Sequence, residues 1–166
     1  TRLAIIDLSP EAEQPMSLDE ELFISFNGEI YNYIELRTEL IECGCAFNTN
    51  SDTEVILKGF RQWGKLLFEK LNGIFSIAIY NQKEETVLLC RDRLGVKPLY
   101  YFNSDDNFYF FSEIKQAIKS GIYLPKVNKS AINEYLAYQF TLNNETLFED
   151  IYKVPAGGLI LFDKDG

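Results

Sequence analysis

The sequence predicts an α+β fold in which antiparallel sheets carry helices in layers. Three observations point there. Strand-like and helix-like segments are mixed, with several strands following one another as hairpins and no strict strand–helix alternation. The chain holds 13 Phe and 10 Tyr, a content that suits sheets packed face to face. Residues 74–80 (Ile-Phe-Ser-Ile-Ala-Ile-Tyr) are almost continuously apolar, as a strand covered on both faces would be.

Taken in order, residues 3–7 predict a first strand and residues 22–26 a second, ending at Asn27-Gly28, a pair that commonly turns the chain. A helix is predicted over residues 33–43, with Ile34, Leu36, Leu40 and Ile41 on one side. Ser51-Asp52-Thr53-Glu54 fits a capping box and opens a second helix bearing Val55, Ile56, Phe60 and Trp63. Gly64 punctuates it, and residues 66–71 allow a short helical continuation. Residues 74–80 and 86–90 form a hairpin across a polar turn, and residues 99–102 and 108–111 form another. Helices follow over residues 114–119 and 130–138, then a last strand pair around Pro155-Ala156-Gly157-Gly158.

The length of 166 residues suffices for one domain with a sizeable core. Lys+Arg 16 against Asp+Glu 25 leaves a net charge of −9, which disfavours nucleic acid and anionic membrane as partners. There is no histidine, so this stretch alone forms no Ser-His-Asp or Cys-His nucleophile pair and no His-ligated metal site. Cys43, Cys45 and Cys90 are sparse and read as structural thiols of a reducing compartment. No apolar run is long enough to span a membrane, and the expectation is a soluble, cytoplasmic protein. Asn128 and Asn144 open Asn-x-Ser/Thr triplets at chance frequency. Thr1 precedes a strand-like run and Gly166 follows one, so both ends read as cut.

Four segments stand out, each bland when alone: Arg2 beside a strand start, Asn27-Gly28-Glu29-Ile30-Tyr31-Asn32 between a strand and a helix, Ser51-Asp52-Thr53-Glu54 at a helix start, and residues 91–100 as a charged hairpin loop with Pro98 at a strand's first residue. Together, Thr-Arg-Leu-Ala-Ile-Ile-Asp, Phe-Asn-Gly-Glu-Ile-Tyr-Asn, Ser-Asp-Thr-Glu-Val and Arg-Asp-Arg-Leu-Gly-Val-Lys-Pro-Leu-Tyr-Tyr resemble the glutamine-hydrolysing domain of asparagine synthetases. Leu71-Asn72-Gly73-Ile74-Phe75, Ser112-Glu113-Ile114-Lys115 and Val154-Pro155-Ala156-Gly157-Gly158 extend the resemblance along the whole chain, in the family's order.

That resemblance, to a class II glutamine amidotransferase, implies a four-layer αββα sandwich of the N-terminal-nucleophile hydrolase type, here with its opening strands missing. It implies a glutamine site at Arg2, Ile5, Asn27, Gly28, Glu29 and Asp52. The chemistry of these residue types suits free glutamine. An arginine grips an α-carboxylate with two parallel bonds, and an aspartate matches an α-ammonium. By the resemblance, the Asn27 side-chain amide and the Gly28 backbone N–H face the oxyanion that forms on the amide carbonyl; Gly28 admits close approach of backbone to substrate. Glu29 lines the amino-acid end, and Ile5 presents its backbone.

The family's nucleophile is an N-terminal cysteine whose own amino group serves as base. Residue 1 here is threonine, which aligns with an internal family position directly before the substrate-binding arginine, and no cysteine of the chain takes the nucleophile's place. The opening cysteine is expected upstream. Residues 1–166 are thus expected to be a partial type 2 amidotransferase domain, serving a downstream synthetase domain that uses ATP and Mg²⁺ to amidate aspartate. No cofactor is expected in the chain itself, which has no Gly-rich phosphate loop. Alternatives are a domain serving another carboxylate acceptor, such as a sugar acid, and a non-catalytic glutamine-binding domain. Homo-oligomerisation is left open.

Overall fold

The structure, a computed structural model, describes residues 6, 7, 9–104 and 107–163. Among these residues eight strands and five α-helices run in the order β1 (Met16–Leu18), β2 (Leu22–Ile30), α1 (Tyr33–Glu42), α2 (Asp52–Trp63), α3 (Leu67–Lys70), β3 (Gly73–Asn81), β4 (Thr86–Arg91), β5 (Tyr100–Ser104), β6 (Asn107–Phe111), α4 (Ile114–Lys119), α5 (Lys129–Tyr138), β7 (Tyr152–Lys153) and β8 (Leu159–Phe162). The strands form two antiparallel sheets, β1-β2-β3-β4-β8 and β6-β5-β7. The α+β expectation holds.

Three apolar clusters hold these elements together. On one face of the larger sheet, Ile24, Phe26, Ile77, Ile79 and Leu88 pack with Leu36 and Leu40 of α1 and Val55 and Ile56 of α2. Between the sheets, Ala78 and Leu89 meet Leu99 and Val154, with Phe108 stacked on Phe162 at 3.7 Å between ring centroids. Beyond the smaller sheet, Phe102 and Phe111 pack with Ala117 of α4, Tyr123 and Ile151. Strand β3 feeds two clusters, Ile77 and Ile79 into one and Ala78 into the other, which is why its sequence is apolar at nearly every position.

Several expectations need correction. Asn27-Gly28 makes no turn: β2 continues to Ile30, and both residues pair with β3, Asn27 with Ser76 and Gly28 with Phe75. Long-range pairing has overridden the local turn preference. On α1 only Leu36 and Leu40 are buried; Ile34 and Ile41 stand 60% and 54% exposed, because the helix offers a narrow stripe to α2 and the sheet. At α2, Ser51 does cap, accepting from the Thr53 N–H at 3.1 Å, but the capping box does not close. Glu54 turns instead to the preceding loop, where it accepts from the Asn48 and Thr49 N–H groups and the Thr49 hydroxyl, and it pairs with Lys58 at 2.9 Å. The strands flanking residues 155–158 do not pair with each other; β7 joins β5 and β8 joins β4, in different sheets. Strand β5 starts at Tyr100, two residues after Pro98. The strand predicted over residues 3–7 falls mostly outside the described residues.

Candidate active site

The site is organised along one edge of β2. Antiparallel strands send alternate N–H groups to opposite sides. On β2 the odd side faces β3, as shown just beyond its end by the Tyr31 N–H, which donates to the Asn72 carbonyl at 2.8 Å. The even side faces β1, whose pairing covers only Leu22 to Ile24. Further along that edge the donors meet side chains. Gln14 Oε1 accepts from the Phe26 N–H at 2.7 Å, and Asp52 Oδ2 accepts from the Ile30 N–H at 3.1 Å.

The Gly28 N–H lies between them. Its partner residue across the ladder, Phe75, turns both backbone groups the other way: the Phe75 N–H donates to Asp92 Oδ2, and its carbonyl accepts from the Asp92 N–H. Gly28 and Phe75 are therefore a close, non-hydrogen-bonded pair. Among the described residues no acceptor meets the Gly28 N–H, which points out at the open edge. The glycine itself is demanded by that close pairing. A Cβ at position 28 would sit 2.1 Å from the Ile74 carbonyl oxygen and 2.7 Å from the Phe75 Cα, and φ is +154°. The sequence expectation credited Gly28 with admitting substrate; the contact the structure displays is with strand β3.

Asn27 precedes Gly28 and its side chain leaves the sheet on the other face from the helices. Its Nδ2 donates to Ser112 Oγ at 3.4 Å, linking the two sheets. It lines a cleft of about 770 Å³ together with Gln14, Ser76, Tyr109, Ser112 and Gln116. Glu29 shares the strand face of Asn27 and is half-buried.

Asp52 is the first residue of α2 and is 6% exposed. Burial pushes its carboxyl above the ordinary carboxylate value, and the neighbouring Glu29 charge pushes the same way. N–H groups of Ile30, Thr53 and Asp52 itself oppose that rise without cancelling it. Among the described residues no cation stands beside this buried carboxylate, and such a site gains by receiving one. An unmet N–H, a side-chain amide and a buried carboxylate thus share one stretch of β2 edge: two donors for a developing negative oxygen and an anion for a cation.

Arg2 and Ile5 lie outside the described residues. Asn27, Gly28, Glu29 and Asp52 do gather around the C-terminal half of β2. Sequence reasoning missed Gln14, whose neighbouring Pro15 was a visible strand-breaking signal, and the contact between Asn27 and Ser112, which no local pattern announces.

The charged stretch after β4 is an ordered loop. Asp92 is 1% exposed and accepts from the N–H groups of Phe75, Leu94, Val96 and Lys97. Burial alone would raise its carboxyl; these four donors outweigh burial and hold it below the ordinary range. Arg91 donates to the carbonyls of Lys97, Val154 and Gly95, and Arg93 to those of Leu71 and Glu69. These arginines tie loops together and are engaged by carbonyls. The cysteines are all free thiols: Cys43 is exposed, Cys45 half-buried, and Cys90 buried in the core, where desolvation pushes its thiol up to about 12. Cys90 is consequently a protonated, unreactive thiol. Among the described residues no three His, Cys, Asp or Glu side chains gather as metal ligands, and no helix is long and apolar enough to cross a membrane.

Over residues 1–166 the chain belongs to the family described as glutamine amidotransferase domain. It is similar to the glutamine-hydrolyzing asparagine synthetase 1 of Bacillus subtilis, 40% identical over 166 residues that cover 99% of this chain and 26% of that protein. It is also similar to the putative glutamine-hydrolyzing asparagine synthetase 2 of Methanocaldococcus jannaschii, 35% identical and covering 99% of this chain and 35% of that protein. The chain thus spans between a quarter and about a third of the length of these curated relatives. Its fold resembles that of the glutamine phosphoribosylpyrophosphate amidotransferase from B. subtilis in complex with ADP and GMP, with a TM-score of 0.61, 21% identity, and coverage of 94% of this chain and 32% of that one.

Proposed function

We propose that residues 1–166 are the glutamine-binding and amide-polarising part of a type 2 glutaminase domain, within a larger protein that amidates aspartate at the expense of ATP. The observation that carries this reading is the unmet Gly28 N–H, held beside the Asn27 amide and one strand step from the Ile30–Asp52 contact. Residues two apart on a strand are separated by about 6.6 Å, close to the reach of an extended glutamine from amide oxygen to α-nitrogen. Asp52 receives the ammonium, Arg2 the α-carboxylate, and Ile5 and Glu29 line the amino-acid end. Asn27 Nδ2 and the Gly28 N–H donate to the amide oxygen as it becomes an oxyanion.

The reaction is glutamine to glutamate and ammonia. A cysteine thiolate adds to the amide carbon, ammonia departs with a proton, and water cleaves the resulting thioester. This chain supplies the binding and the oxyanion donors and lacks the nucleophilic cysteine, which this reading assigns to the larger protein. ATP and Mg²⁺ are assigned on this reading to a synthetase portion of the larger protein. The apolar clusters on both sides of each sheet support a four-layer αββα arrangement, and three free thiols accord with a cytoplasmic setting.

Glutaminase kinetics of the full-length protein test the reading. Asn27→Ala is expected to lower kcat roughly 10²–10³-fold, the usual effect of losing one oxyanion donor. Residues 1–166 alone are expected to give no turnover. Unchanged hydrolysis in Asn27→Ala, or turnover above background by the isolated chain, contradicts the proposal.

A further inference from the structure

We infer that Gln14 is a positioning residue that keeps the Gly28 N–H open and sets its distance from Asp52; the inference rests on reading this edge as the glutamine site. The β1–β2 register pairs Met16 with Ile24 and Leu18 with Leu22. Continued backwards, it would place residue 14 opposite Phe26 and residue 12 opposite Gly28. One more pair of backbone hydrogen bonds after Phe26 would then bring the residue 12 carbonyl onto the Gly28 N–H and consume it.

The chain avoids this at Gln14-Pro15. Pro15 falls opposite Ser25, where a backbone N–H would point away from β2, so the ladder is interrupted at Gln14 and not by the proline's missing donor. Gln14 satisfies Phe26 with its side chain, Oε1 accepting at 2.7 Å, so its backbone is free to turn away. Upstream, residues Pro10–Ala12 form a short 3-10 turn with Ala12 buried, and among the described residues no strand continues β1 along the β2 edge. The Phe26 donor is thereby met, and the next donor on that side, Gly28, is left without an acceptor among the described residues, beside Asn27, which lines the same cleft as Gln14.

The other end of the Gln14 amide fixes the second coordinate. Its Nε2 lies 3.5 Å from Thr53 Oγ1, on the residue directly after Asp52. One side chain therefore spans from the strand that carries the oxyanion donor to the helix start that carries the buried carboxylate. Gln14 touches neither reacting atoms nor, by this geometry, the ammonium; it acts through Phe26 and Thr53.

The test uses glutaminase kinetics and backbone amide exchange on the full-length protein. Gln14→Met keeps the side chain's length but offers no acceptor to Phe26; Gln14→Glu keeps an acceptor oxygen. We expect Gln14→Met to lower kcat between tenfold and a hundredfold, as misplacement of about 1 Å does, with KM changed less than threefold and exchange at Phe26 accelerated. Gln14→Glu should recover kcat to within threefold of the original and restore Phe26 protection. If Gln14→Met does not fold, Gln14→Asn, whose amide is one methylene short of Phe26, carries the same expected kcat loss. Wild-type kcat in Gln14→Met or Gln14→Asn, or no recovery in Gln14→Glu, overturns the inference. Asn27→Ala run in parallel separates the two ideas: if it abolishes turnover while Gln14→Met is unaffected, only the role of Gln14 is wrong, whereas an unaffected Asn27→Ala removes the site reading itself.

Discussion

Asp52 illustrates at the residue scale how a binding group can work against the fold that holds it. Its folded-state pKa is raised, first by burial and then by Glu29. A carboxyl raised on folding contributes stability below its unfolded value, and that contribution is lost as pH rises through the folded value. At neutral pH the buried charge is therefore a cost. Asp52→Asn retains an acceptor oxygen for the Ile30 N–H and removes that cost, so the variant should be no less stable than the original in urea at neutral pH. Its glutamine affinity should nevertheless fall by about 2–5 kcal/mol, the usual effect of removing one partner of a buried charge pair. In the unsubstituted protein, glutamine binding should weaken on acidification at a pH above the 3.8 of an ordinary aspartate. Titration calorimetry with glutamine across pH 4–7 checks both, and an affinity indifferent to this substitution removes Asp52 from the site. Gly28 serves two masters in another way: the absent Cβ permits the β2–β3 pairing, and that pairing aims the N–H outward.

Elements acquire their shape here from a few buried polar anchors. Residues 92–99 contain no regular structure, yet the Asp92 carboxylate gathers four N–H groups and the Arg91 guanidinium three carbonyls. The Asp92 pKa is lowered because those donors outweigh burial. The sign is opposite to that of Asp52: the stabilisation is complete above the unfolded value of 3.8 and drains as pH falls through the depressed folded value. Asp92→Asn turns an amide NH₂ or a single oxygen toward four donors and should cost about 2–4 kcal/mol at neutral pH, from charge-assisted bonds lost and N–H groups left unmet. Its stability should also decline less steeply on acidification below pH 4. Equal urea midpoints for the two proteins at pH 7 would mean that the arginines alone order the loop. Glu54 behaves like Asp92, its carboxyl held low once the Asn48 and Thr49 donors and Lys58 outweigh burial.

Across the whole molecule, the site depends on two sheets being held face to face. Asn27 belongs to the larger sheet and its partner Ser112 follows the last strand of the smaller one, so their contact exists only while the sheets are docked. Leu89 is fully buried between them, against Leu99 and Val154. Leu89→Ala should cost about 2–5 kcal/mol, as cavity-forming Leu→Ala changes do. The near-ultraviolet signal of the inter-sheet rings Tyr101, Phe108 and Phe162 should be lost together with far-ultraviolet structure in one transition. Loss of the ring signal well before the backbone signal would mean that the sheets separate while each stays folded.

What the residues determine by themselves follows from short-range physics. Apolar periodicity placed α1, α2 and the β3–β4 and β5–β6 hairpins, and a Ser before an acidic run placed the α2 cap. The order of motifs was enough to indicate a glutamine amidotransferase, because side-chain chemistry at a fixed sequence of positions is a local property. Tertiary structure decided the rest. Asn27-Gly28 would turn in isolation and is straight only because β3 pairs with it across more than forty residues of chain. β7 and β8 parted into different sheets for a reason no window around Gly157 contains. The direction of the Gly28 N–H is set by strand register and by the point at which β1 stops, and register is a relation between distant segments that local preference cannot encode.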